Sequence, residues 1–159
     1  MIRLSPEQFR SFLSPYLIGG WQQEEIVLSA VDVEPGLVRG IITPKQIFPA
    51  SDGTLHLAVP AAFIWIAQLG IIYACWDQKL PKKPGEVLLR ELHLKCRRVV
   101  DATREIDLTI AVTAKRVVAE GVFYSGDISV DRDAFVGEAR FVLPIPRTEA
   151  EPAPSDFIA

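Results

Sequence analysis

The chain is poor in the residues from which metal and redox centres are built. Its 159 residues include two cysteines, Cys75 and Cys96, and two histidines, His56 and His93. No C-x-x-C spacing occurs, and isolated cysteines and histidines do not supply the ligand spacing of a zinc site. The cysteines read as a pair of free buried thiols, one in the most apolar segment and one in a strand-like run. Neither a metal nor a cofactor is expected. A basic stripe is missing too. Lys and Arg number 17 against 20 Asp and Glu, for a net charge of −3 with both signs scattered, which excludes nucleic acid as the partner. No P-loop or dinucleotide-binding glycine pattern occurs, because Gly19-Gly20 stands alone and opens no helix. The opening MIRLSPEQFRSFL lacks the long apolar core of a secretory signal, so a cytoplasmic protein is expected. What the chain has in quantity is apolar side chain. At 49% hydrophobic and 23% charged residues, it can fill one ordinary domain and still supply an oligomer interface.

Read in order, residues 5–13 form a short helix. Ser5 is a good N-cap, Pro6 suits the first helical position, and Gln8 completes a capping box. Phe9, Phe12 and Leu13 share its apolar face, and Pro15 ends it. From Glu24 to Glu34 the chain alternates, with Ile26, Leu28 and Ala30 on one face and Val27, Ser29 and Val31 on the other. Pro35-Gly36 is a turn, and Leu37 to Thr43 completes a hairpin. After a loop around Phe48 to Thr54 comes an almost wholly apolar segment, Leu57 to Trp76, in which Gln68 is the one strongly polar side chain. A helix over about 58–77 follows from its Ala, Ile and Leu content. About twenty apolar residues would just span a bilayer. The rest of the chain is amphipathic strand that must cover an apolar face, so the segment reads as a buried core helix and not as a membrane insertion. Four further runs of period two follow the turn-rich Pro81 to Gly85, ending near Leu143. Residues 1–146 make a single domain, and 147–159, rich in Pro, Glu and Ala, make a flexible tail. The class is α+β, an antiparallel sheet with one wet face around a long helix.

This order resembles the hot-dog fold, a curled antiparallel sheet wrapped around one long buried helix, whose members include acyl-thioester hydrolases and hydroxyacyl-thioester dehydratases. Within it the chain is most similar to the FcoT-type long-chain fatty-acyl-CoA thioesterases. Leu13-Ser14-Pro15-Tyr16 resembles that family's L-x-P-Y. Ser51-Asp52-Gly53, then His56, then Gln68-Leu69, resemble its S-T-G-H and N-Q-L segments. The likeness runs from about Leu13 to Pro146. It implies a homodimer or dimer of dimers acting on a fatty-acyl thioester of coenzyme A or acyl carrier protein. The departures are equally specific. Family polar positions fall at Ala50, Ala58 and Ala67. The dehydratase pattern lacks its histidine after Phe48-Pro49, and the helix carries no acid.

Thioester hydrolysis needs a polarised carbonyl and a positioned water. Backbone N–H groups where Asp52-Gly53-Thr54 feeds the long helix could hold the carbonyl, or Asp52-Gly53 is simply a turn. Gln68 is costly in so apolar a helix unless hydrogen-bonded. It either orients carbonyl or water, or caps structure, and it cannot act as a base. His56 is the candidate general base, with a partly exposed loop histidine as the alternative. Tyr16 either donates to substrate or packs on the sheet edge. Trp65 and Tyr73 are core or acyl-tunnel lining. His93, Lys95, Arg97 and Arg98 form a solvated face or attract the carrier's phosphates. Three activities remain open: an acyl-thioester hydrolase, a catalytically degenerate acyl-binding or structural module, and a dehydratase or related enzyme of unsaturated acyl thioesters.

Overall fold

The computed structural model describes residues 1–10, 12, 25–47, 49 and 53–145. In chain order the elements are β1 (Ile2–Leu4), α1 (Pro6–Arg10), β2 (Glu25–Glu34), β3 (Leu37–Gln46), α2 (Val59–Asp77), β4 (Leu88–Cys96), β5 (Ile106–Val118), β6 (Gly121–Val130) and β7 (Phe135–Pro144). Seven strands form one sheet in the order β1-β2-β3-β5-β6-β7-β4, and every pairing is antiparallel. The strand that follows α2 in sequence therefore crosses to the far edge, and α2 spans the concave face between them.

The capping box of α1 forms. The Ser5 N–H donates to Gln8 Oε1 at 2.8 Å and the Gln8 N–H to Ser5 Oγ at 3.3 Å. Ahead of it lies β1, a strand too short for its alternation to be read from sequence. It is held to β2 by two bonds from the Arg3 guanidinium to the Asp32 carboxylate at 2.8 and 3.0 Å. The β2–β3 hairpin turns at Pro35-Gly36, where Gly36 adopts φ +81°, a region open to glycine at little cost.

Two readings of the alternation are corrected. In β2 the buried residues are Ile26, Val31 and Val33, not one unbroken face through Leu28 and Ala30. The register slips between Leu28 and Ala30, and a one-residue bulge moves every later side chain to the other face. The third of the four runs after Gly85, read from Val117 to Val130 with interruptions at Gly121 and Ser125-Gly126, is the end of β5 and the whole of β6, divided by a turn at Ala119-Glu120. Cys96 is a third correction. It is free, as is Cys75, but exposed, because β4 is the sheet's edge. Burial pushes the Cys75 thiol up to about 11, with Lys83 opposing.

The core lies between α2 and the inward sheet residues, among them Val38, Ile42, Ile106, Leu108, Ile110 and Leu143. By length and composition α2 could cross a membrane. From Trp65 to Cys75 every residue except Ala67 is buried, so α2 is the core helix. Its first turns are different. Val59 is 46% and Phe63 41% exposed. One stripe of an otherwise enclosed helix is left uncovered at the N-terminal end.

Candidate active site

The uncovered end of α2 is the floor of an open groove. The segment before the helix is tied down by backbone bonds, from Leu57 N–H to Val100 O at 2.9 Å and from Ala102 N–H to Leu55 O at 3.1 Å. His56 bridges to Asp101 between them. The helix starts from Ala58 with no side-chain cap, and Pro60 stands in the first turn. The Val59 and Ala61 N–H groups consequently have no intrahelical acceptor. They sit at the positive end of a nineteen-residue helix, where developing negative charge is favoured. His56, Ala58, Val59, Cys96, Arg97 and Phe135 are among the groove's walls.

A second space lies further along α2. It is an apolar cavity of about 190 Å³, lined by Phe63, Ile66, Ala67 and Ile71 of the helix, Leu89 and Leu92 of β4, Ile110, and Ala139 and Phe141 of β7, with Val87. The two spaces occupy one strip. On α2 the groove has Val59 and the cavity has Phe63, one turn on. On β4 the groove has Cys96 and the cavity Leu92, while on β7 the groove has Phe135 and the cavity Ala139. From Val59 to Ile71 the strip runs about 18 Å at 1.5 Å per residue. Its groove end sets the helix N-terminus, His56 and Arg97 into a mainly apolar wall, and its cavity end is lined by apolar side chains.

Of the residues singled out from sequence, His56 lines this strip. Gly53 lies ahead of the helix in a turn at φ +81°, with Thr54 exposed beside it. Gln68 is 1% exposed and engaged in a polar interaction, but it lines neither space. Trp65 is in the core cluster. The Tyr73 hydroxyl accepts the Gly36 N–H at 3.0 Å, tying α2 to the β2–β3 turn. Tyr16 and Asp52 lie outside the described residues. Arg98 is committed elsewhere. It donates to the Asp131 and Arg132 carbonyl oxygens, although its side lines the groove together with Arg97. Sequence reasoning missed the cavity residues of β4 and β7, since nothing in the alternation says that these strands are neighbours.

The best-defined polar cluster is at the opposite end of α2. Asp77 Oδ2 accepts from Lys115 Nζ at 2.6 Å, the Tyr124 hydroxyl at 2.6 Å and Gln78 Nε2 at 2.8 Å. Burial pushes the Asp77 carboxyl up, but these three donors outweigh it and hold the group below the usual carboxylate range. Burial and Asp77 push the Tyr124 hydroxyl far up. The cluster secures a carboxylate that the helix C-terminus disfavours. Among the described residues no group of three or more His, Cys, Asp or Glu could hold a metal ion.

No protein-family model matches the chain, and no curated protein matches it by sequence. Solved structures do match in shape. One is a proposed thioesterase from Shewanella oneidensis, with TM-score 0.56 and 11% identity over 88% of this chain and 96% of that one. Another is a dehydratase heterocomplex from Xenorhabdus doucetiae, at 0.55 and 17% over 74% and 82%. A third is a thioesterase enzyme from Staphylococcus aureus, at 0.53 and 12% over 76% and 93%. The curled seven-stranded antiparallel sheet around one long helix is the hot-dog fold, which this chain has.

Proposed function

We propose that the protein hydrolyses acyl thioesters, with the acyl chain laid along α2 and the thioester at the helix N-terminus. The observation that carries this reading is the strip itself, an apolar cavity and, one turn back along α2, a groove with one histidine at the uncapped helix N-terminus. Names given to other proteins of this fold, thioesterase and dehydratase, point to the same class of substrate. In this reading the carbonyl oxygen is held by the Val59 and Ala61 N–H groups, and His56 takes a proton from the attacking water. Arg97, on the groove wall, meets the phosphates of the carrier, coenzyme A or acyl carrier protein, whereas Lys95 alternates with Leu94 and Cys96 and faces the other side of the sheet. Tyr16 and the Asp52-Gly53-Thr54 loop are retained as supports of substrate or water, and Gln68, buried and lining neither space, takes the structural role.

The reading includes a homodimer. Within the described residues β4 pairs with β7 alone, and Leu88, Leu89, Val59 and Phe63 are exposed around its free edge. A second copy would cover both the edge and the open side of the strip.

A second reading has support of its own. Among the described residues the His56 side chain has no hydrogen-bonded carboxylate to orient it. Asp101, its backbone bridge partner, spends Oδ1 on the Thr103 N–H and hydroxyl at 2.9 and 2.7 Å. That favours an acyl-binding module without turnover. Free-thiol release from acyl-CoA thioesters of graded length, with His56→Ala and Gln68→Ala beside the wild type, separates the two. Release that collapses in His56→Ala supports the hydrolase. No release at any length from folded protein leaves the binding module. Loss of an unsaturated acyl thioester without thiol release would point instead to a dehydratase.

A further inference from the structure

We infer that the Phe141 ring, seated against the bare Cα of Gly70, sets the length of acyl chain that the cavity accepts. The inference rests on the acyl-thioester reading and names its length-determining pair. Gly70 is buried in the middle of α2, where glycine costs about 1 kcal/mol of helix propensity relative to alanine. Its reason for being there is packing. A methyl group on Gly70 would stand 3.1 Å from Cε1 and 3.2 Å from Cζ of Phe141, closer than ordinary contact, so the ring would have to move.

The surroundings limit where it can go. Tyr124 stacks on Phe141 at 5.4 Å between centroids with the planes 17° apart. Tyr124 is itself fully buried and anchored through its hydroxyl to Asp77 and Gln78. One face of the Phe141 ring is thus fixed, and the unfilled volume next to it is the 190 Å³ cavity that it lines. An alanine at position 70 displaces the ring into that volume. A dry apolar cavity of about 150 Å³ holds a six-carbon ring. By proportion this cavity holds about eight carbons, and a ring moved by a few tenths of an ångström trims the end of that space, so the loss falls on the longest chains.

The test measures chain-length profiles of Gly70→Ala and Phe141→Leu, each by two readouts. One is thiol release from acyl-CoA thioesters in two-carbon steps, and the other is displacement of a fluorescent fatty-acid probe by the same thioesters. Gly70→Ala is expected to weaken the longest accepted chain against the next shorter one by up to roughly fourfold, the worth of one methylene. Phe141→Leu is expected to move the preference toward longer chains. Val38→Ala, a core truncation on β3 away from the strip, serves as the control for general loss of stability and should lower the melting temperature without moving the profile. A length preference that shifts in displacement, with no thiol released by any variant, upholds the Phe141 wall and sinks the hydrolase. Profiles that coincide with wild type in both variants, whether or not thiol is released, overturn the inference.

Discussion

Tyr124→Phe removes a single oxygen from the middle of the molecule and leaves the ring stack on Phe141 intact. In the wild type that hydroxyl donates to Asp77 Oδ2 at 2.6 Å and accepts from Gln78 Nε2 at 2.8 Å. A buried hydrogen bond to a charged group contributes about 1.5–3 kcal/mol. Asp77 keeps Lys115 at 2.6 Å and Gln78 at 2.8 Å, so the carboxylate is not stranded and the loss falls at the low end, about 1.5–2 kcal/mol. For a chain of this size each kcal/mol moves the melting temperature by about 2–4 °C. The expected drop is then about 5 °C at neutral pH. The pH dependence follows from Asp77, whose carboxyl is held below its ordinary value of 3.8 in the folded protein. A depressed folded value means that the stabilisation is fully present above the unfolded value and is lost as pH falls through the folded one. Urea unfolding of both proteins at one fixed concentration, from pH 7 down into the acid range, gives the comparison. The gap should be constant above about pH 4 and shrink below it. A gap under about 0.5 kcal/mol at pH 7, or one that stays unchanged in acid, would refute the assignment of Tyr124 and Asp77 as a coupled pair.

Three more outcomes are expected. His56→Ala should cut thiol release at least about 100-fold, the lower range for a lost general base, with an unchanged melting temperature. A drop of only a few-fold would remove His56 from the chemistry. Gly137→Ala should cost about 3 kcal/mol in urea unfolding, because a methyl there would meet the His93 carbonyl oxygen at 1.8 Å and force β4 off β7. A fully stable variant would show that this pairing is misdescribed. Leu88→Lys, on the exposed edge of β4, should convert a dimer of twice 17.6 kDa into a monomer in sedimentation experiments. A wild type that sediments at 17.6 kDa would end the dimer proposal.

The fold was legible because its two periods are unmixed. Alternation over β3, β5 and β7 and the long apolar run of α2 each have one structural solution, and together they leave the sheet nothing but that helix to cover it. Where the reading slipped, the cause was a residue that breaks the period. The bulge at Ser29 swaps the faces of β2, and sequence carries no mark of it, since Val27, Leu28 and Val31 are equally apolar. Cys96 was misplaced for a different reason. Its burial depends on β4 being an edge, which is a property of the sheet order, with β7 between β6 and β4, and not of the strand.

The site was less legible, for the same physical reason. Sequence reasoning ranks residues by how odd they look where they stand, and Gln68 in an apolar helix is the oddest. Oddity measures the cost of burial, not the direction in which a side chain faces. On α2, Val59, Phe63, Ala67 and Ile71 reach the strip at intervals of four, with Ile66 beside them, and all are apolar. They look like any core stripe. What makes them line a cavity is that β4, the strand opposite, has nothing on its far side among the described residues, so the last layer of packing is missing there. That gap leaves both an apolar cavity and an exposed strand edge, which the proposed reading fills with an acyl chain inside and a second copy outside. If the dimer and the acyl-chain preference arise from one uncovered strip, Leu88→Lys should weaken acyl binding as well as association. Should binding survive intact in the monomer, the strip would be complete within a single chain.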